Sequence, residues 1–476
     1  MTDYEIQDGI LVKYHGRKEH VTTPMHAVKI GREAFFGNRD LTSVTIRDGV
    51  TAIGERAFGD CTRLREVSFP DSLTDIGWYA FYRCSRLTGV TIPDGVTEIG
   101  VSAFAGCTGL TLLSFPEGLA RIGTSAFKHC TGLTAVAIPE GLTNTGQSAF
   151  EGCTGLTAVS IPDGVKEIGR YSFCNCTGLT AFSIPESVTT IERGAFVGCT
   201  GLTALTIPDS VTSIGEKAFA GCTGLGSLTF PGSVTCIENE TCSFCTGLTE
   251  VGIPESVTHI GEGAFRRCVS LTSLTIPDSV TQIGDSAFEN CWGLTSVTFP
   301  DSVTRIGNCA FQGCTGLTSV AIPDSVMQLG YMAFEDCTNL TEIMIRGIRL
   351  ERDVLDRLMR EYRIDACSIP LQLVNYVAVD KALTWTAFRL CPEDERNTAY
   401  LQTAFDELFV FLFQEEHTGL RQSVLESKHV EKWLASHIDT WIECAIAHEM
   451  LDAQILLMNY KRERIGYTDA TDQFTL

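Results

Sequence analysis

The stretch CTGLTALTIPDSVTSIGEKAFAG, Cys199 to Gly221, decides the fold. Leu205 and Ile207 alternate with the small residues Ala204 and Thr206, the two-residue period of a half-buried strand. Pro208 and Asp209 end that strand with turn chemistry. Val211 and Ile214 then return inward, Gly215 marks a bend, and Ala218-Phe219 points into the coil before the next cysteine. One such unit cannot bury its own apolar face. It needs copies of itself above and below.

The copies are present. Cys61, Cys84, Cys107, Cys130, Cys153, Cys176, Cys199, Cys222, Cys245, Cys268, Cys291, Cys314 and Cys337 recur every 23 residues, with Asn38 in the preceding slot. Phenylalanine holds a second column from Phe35 to Phe334, interrupted by Cys242. Proline holds a third in twelve consecutive units from Pro70 to Pro323, with Pro24 in phase before it and Arg47 and Arg346 in the same slot. Pro24 and Arg346 are fourteen periods of 23 apart, so the register implies 15 coils. Regular spacing makes these cysteines small buried thiols rather than a disulfide framework.

The totals agree. A chain of 476 residues exceeds one ordinary core, and 44% hydrophobic with 20% charged residues describes a globular protein. A net charge of −22 and a pI near 4.8 oppose nucleic acid and anionic membranes and favour cationic partners. No run of about 18 apolar residues predicts a membrane-spanning helix. The start, Met1-Thr2-Asp3-Tyr4-Glu5, has no basic segment leading into an apolar one. The expected location is therefore cytoplasmic, with the cell surface, reached by an unrecognised route, as the alternative.

The pattern Leu-x-x-Ile-x-Ile-Pro followed by Val-x-x-Ile-Gly-x-x-Ala-Phe-x-x-Cys resembles the BspA-like class of leucine-rich repeats over about residues 20–346. That resemblance implies a right-handed solenoid, a leucine-rich-repeat superhelix with a parallel β-sheet on its concave side. It also implies a binding role, as family members are typically adhesins or interaction proteins.

Residues 1–19 are expected to cap the first coil, with Tyr4 to His15 forming a β-hairpin around Asp8-Gly9. Residues 20–346 form the solenoid. From Ile348 the period stops, and residues 347–476 read as an α-helical cap or accessory domain. Its first helix is placed at Glu351 to Arg363, with others near 371–390, 397–414, 420–427, 429–447 and 449–463.

Motifs that carry chemistry are scarce. The sequence has no phosphate-binding loop, no Gly-x-Ser-x-Gly and no His-Glu-x-x-His. Cys236, Cys242 and His259 fall near one another in register but match no strong zinc spacing, so no metal or other cofactor is expected. In the irregular coil at 231–245, Phe244 is expected to replace the spine ring lost at Cys242. The residue after each proline is acidic in eleven of twelve units, Gly232 being the exception, which reads first as turn chemistry and second as a ridge for cations or a basic partner.

Variation concentrates beside Ala-Phe, where Trp78, Tyr79, Tyr82 and Arg83 share one coil, and Arg170, Tyr171, Arg266 and Arg267 follow further on. Exposed aromatics with arginine are the residue types of binding hot spots. The expectation is a non-enzymatic protein-interaction scaffold, with a protein partner, no nucleic acid and no membrane insertion. A surface adhesin and an effector or enzyme in residues 347–476 are the alternatives, and the sequence leaves the oligomeric state open.

Overall fold

The computed structural model describes residues 3–345 and 348–351. The chain forms two units, one of Met1–Val320 with Met332–Leu340 and a second of Ala321–Tyr331 with Thr341–Leu476. It winds as a parallel-sheet β-solenoid of about 15 turns. Each turn supplies two short strands. A three-residue strand (Ser43–Thr45, Glu66–Ser68, Gly89–Thr91, Leu112–Ser114) builds one face, the long sheet, whose hydrogen bonding is divided into groups of two to five strands. A two-residue strand (Lys29–Ile30, Ala52–Ile53, Asp75–Ile76, Glu98–Ile99) builds a second. Partners are 23 residues apart, as in Val44 beside Val67 and Ile53 beside Ile76.

The inward columns form the core. Leu64, Phe58, Cys61 and their equivalents are fully buried. The phenylalanine rings stack face to face, from 4.8 Å between Phe35 and Phe58 to 5.9 Å between Phe196 and Phe219. At the first coil, strands β1 (Tyr4–Gln7) and β2 (Ile10–Tyr14) pair antiparallel across left-handed Asp8 and Gly9. Tyr14 lies 5.0 Å above Phe35, so the hairpin prolongs the aromatic stack and covers its end.

The polar columns have partners too. Each in-register thiol donates to the main-chain carbonyl of the spine residue one coil back, as Cys84 does to Phe58 at 3.1 Å. Ser72 donates to the carbonyl of Val50, and Thr88 to that of Arg65. Each turn therefore adds side-chain donors to carbonyls of the turn before it.

The irregular coil departs from the expectation. Phe244 is 41% exposed and left-handed, so it does not refill the spine. Cys242 is fully buried in the gap, and Phe230, directly after the strand Ser227–Thr229, turns edge-on to Phe265 at 6.4 Å.

In the second unit, Glu342–Ile345 pairs antiparallel with Ile348–Glu351. Ile348 to Glu351 thus forms a strand where the sequence suggested the approach to a helix. No helix occurs among the described residues. The helices expected beyond Glu351, and with them the α-helical domain, lie outside the described residues.

Candidate partner-binding site

Each turn contains two left-handed residues, and these aim the variable side chains. Tyr79 (φ 58°) and Arg83 (φ 57°) occupy the two slots in one coil. Equivalent slots hold Tyr171 at φ 52° and Arg267 at φ 59°. A left-handed residue swings the chain sharply, so consecutive side chains leave on different sides.

The consequence is that the expected cluster divides. Tyr79 and Tyr82 meet edge to face at 5.6 Å and 88°. Arg56 of the preceding coil lies 5.3 Å from the Tyr79 ring centre, and Arg83 lies 5.1 Å from that of Tyr82. Arg56, Tyr79, Tyr82 and Arg83 thus form one row of two rings flanked by two cations. Such contacts contribute about 0.5–1 kcal/mol at exposed sites. Arg56 belongs to this row although the sequence did not single it out. Its signal was its place one coil before Tyr79.

Trp78 faces elsewhere. It is 60% exposed and forms one wall of an open groove of about 810 Å³ on the second sheet. Ile10, Lys29, Ala52, Glu55 and Asp75 line the same groove. Arg32 pairs with Glu55 at 3.4 Å, and Arg121 pairs with Glu98. Ala52 lies between Lys29 and Asp75 in one register column of the second sheet.

The remaining candidates are dispersed. Arg170 is exposed, while the ring of half-buried Tyr171 lies over Gly194 in the next coil, where an added Cβ would come within 2.2 Å of it. Arg266 is held by Glu289 at 3.1 Å, and Arg267 covers the Phe244 ring at 5.4 Å. These two arginines are thereby engaged within the solenoid.

The register pairs Cys236 with His259 on the second sheet, whereas Cys242 is in the core. Among the described residues no group of three or more His, Cys, Asp or Glu is placed to hold a metal ion. Nor is any helix there long and apolar enough to cross a membrane.

The BspA-type leucine-rich-repeat region, a family unit of six copies, matches residues 28–157, 143–272 and 258–350. The chain belongs to this family. It is similar to the crystal structure of a leucine-rich repeat protein from Bacteroides ovatus, with 30% identity and a TM-score of 0.58. That match covers 71% of this chain and 97% of the other. A leucine-rich cell surface protein from Faecalibacterium prausnitzii is 28% identical, with a TM-score of 0.48, over 77% of this chain and 96% of that one. No match was found among curated proteins.

Proposed function

We propose that this BspA-type repeat protein is a non-enzymatic protein-binding scaffold. The reading is carried by one observation: a 60%-exposed tryptophan, Trp78, stands beside a groove in an array whose other large side chains are mostly stacked inside. A tryptophan this exposed leaves much of its apolar surface in water, and such residues anchor interfaces. The row of Tyr79, Tyr82 and Arg83 offers a second surface on the same coil, while Arg170 and Tyr171 stand four coils further on. Family membership supports binding over chemistry.

The compartment we propose is the cytoplasm. All seventeen cysteines among the described residues are free, a state suited to reducing conditions. Cell fractionation tests this, and labelling of intact cells at the surface would refute it.

Binding is tested by affinity capture from native lysate with the full chain and with Trp78→Ala, Tyr79→Ala and Tyr82→Ala combined. The variant is expected to lose the specific partners while keeping its circular dichroism. Equal recovery by both chains would discard the patch.

A further inference from the structure

The first turns carry a feature that the rest of the solenoid lacks. Residues 1–86 hold twelve Lys and Arg against twelve Asp and Glu, so the whole net charge of −22 falls on residues 87–476. Five of those arginines, Arg17, Arg39, Arg63, Arg65 and Arg86, are exposed at the entrance to the long sheet. Arg17, Arg63 and Arg86 each stand three residues before a long-sheet strand, His20–Thr22, Glu66–Ser68 and Gly89–Thr91. Arg65 directly precedes its strand, and Arg39 stands four residues before Ser43.

Packing does not call for these residues. The slot of Arg63 and Arg86 is glycine at 109, 132, 155, 178, 201, 224 and 247. There an added Cβ would come within 2.3–2.8 Å of a carbonyl oxygen one coil back. Close packing therefore favours glycine in this slot, and arginine there departs from it. Asp40 stands in register between Arg17 and Arg63, and Glu19 in the slot of Arg65. Arg63 pairs with Glu19 at 3.7 Å, and among the described residues the other four make no ion pair.

We infer that this arginine corner is a docking surface for a short acidic polypeptide segment. Guanidinium groups grip carboxylates in a two-pronged fashion, and five of them along one edge select for closely spaced Asp and Glu. The rest of the solenoid sets the length. Arg17 to Arg86 spans three coil steps, roughly 15 Å at ordinary strand spacing. Beyond Arg86 the slots of Arg39, Arg63 and Arg65 hold no further Lys or Arg, and residues 87–476 carry the whole net negative charge. A long polyanion such as nucleic acid would run onto that acidic stretch and be repelled, whereas a few acidic residues fit within the corner. The inference rests on the solenoid being a protein binder, but it uses a surface distinct from Trp78.

The test is fluorescence anisotropy of labelled octaglutamate with the full chain, with single-stranded oligothymidylate and a sulfated disaccharide as parallel probes. Arg86→Glu is compared with Lys166→Glu, an equal charge change on an exposed residue outside the corner. The expected result is octaglutamate binding that weakens with salt, falls about tenfold in Arg86→Glu and stays within about twofold in Lys166→Glu. Absence of octaglutamate binding, equal loss in both variants, or tighter binding of either other probe would overturn the inference. The lysate capture with the Trp78 variant is independent of this outcome, so failure of one reading is distinguishable from failure of the other.

Discussion

The thiol of Cys107 donates a hydrogen bond to the main-chain carbonyl of Phe81, 3.2 Å away and one coil back. The same bond recurs from Cys61 to Cys337, and where Cys242 replaces the spine ring, Cys268 still donates to its carbonyl. Each of these carbonyls also accepts a backbone N–H within its own turn, as Phe81 does from Cys84 at 3.1 Å, so the cysteine column supplies a second donor that ties successive coils together.

Replacing Cys107 by alanine leaves the Phe81 carbonyl with the Cys84 N–H as its remaining donor. The expected cost is about 0.5–1.5 kcal/mol. Cys107→Ser, which keeps a donor on a shorter reach, should cost less. Urea unfolding of the three chains measures both, and a Cys107→Ala midpoint equal to the parent would contradict the role.

The thiols also set a pH limit. Burial pushes Cys61, Cys107, Cys153, Cys199 and Cys291 up to about 12, from an ordinary value of 9.0. Below pH 9 the folded and unfolded chains both hold these protons, and stability is unaffected. Between 9 and about 12 the unfolded chain releases protons that the folded one keeps, so unfolding gains. Stability should fall with rising pH by about 1.4 kcal/mol per unit for each fully titrating thiol. Urea midpoints from pH 8 to 10 under reductant test the sign, and a level or rising profile would exclude it.

The coil at Cys242 is expected to open first. On either side the rings stack, with 5.9 Å between Phe196 and Phe219 and 5.3 Å between Phe265 and Phe288, whereas across the gap Phe230 reaches Phe265 only edge-on at 6.4 Å. Amide hydrogen exchange should be faster around 231–245 than around 58–150. Phe127→Ala should cost about 3–5 kcal/mol, more than Cys242→Ala. Uniform exchange along the array would show that the broken stack is fully compensated.

Tyr171 and Gly194 form a matched pair. Gly194 has φ 63°, and an added Cβ would meet the Tyr171 ring at 2.2 Å. Gly194→Ala should destabilise by about 1–3 kcal/mol through that clash. In a Tyr171→Ala background only the backbone part should remain, about 1 kcal/mol. Thermal unfolding of the four chains gives the coupling, and additive effects would show that the ring moves aside freely.

Much of this was legible in advance. The 23-residue period, the buried columns and the hairpin turn at Asp8-Gly9 followed from spacing, because apolar periodicity and turn residues act locally. Other features were hidden for the same reason. Trp78 and Tyr79 are adjacent in sequence, yet the left-handed turn at Tyr79 sends them to a groove and to a tyrosine row respectively. Phe244 looked like a substitute ring, but its left-handed slot faces outward. Arg266 looked available until Glu289, one coil on, was found to hold it.

The sequence alone therefore determined the length of each turn and which side chains enter the core, since both depend on patterns repeated within one unit. Tertiary structure decided what each side chain meets. A residue's real neighbours lie 23 positions away, and which atoms touch depends on backbone direction and side-chain reach at both places. That is why the thiols were readable as buried, while their bond to the phenylalanine carbonyl appeared only once the coils were stacked.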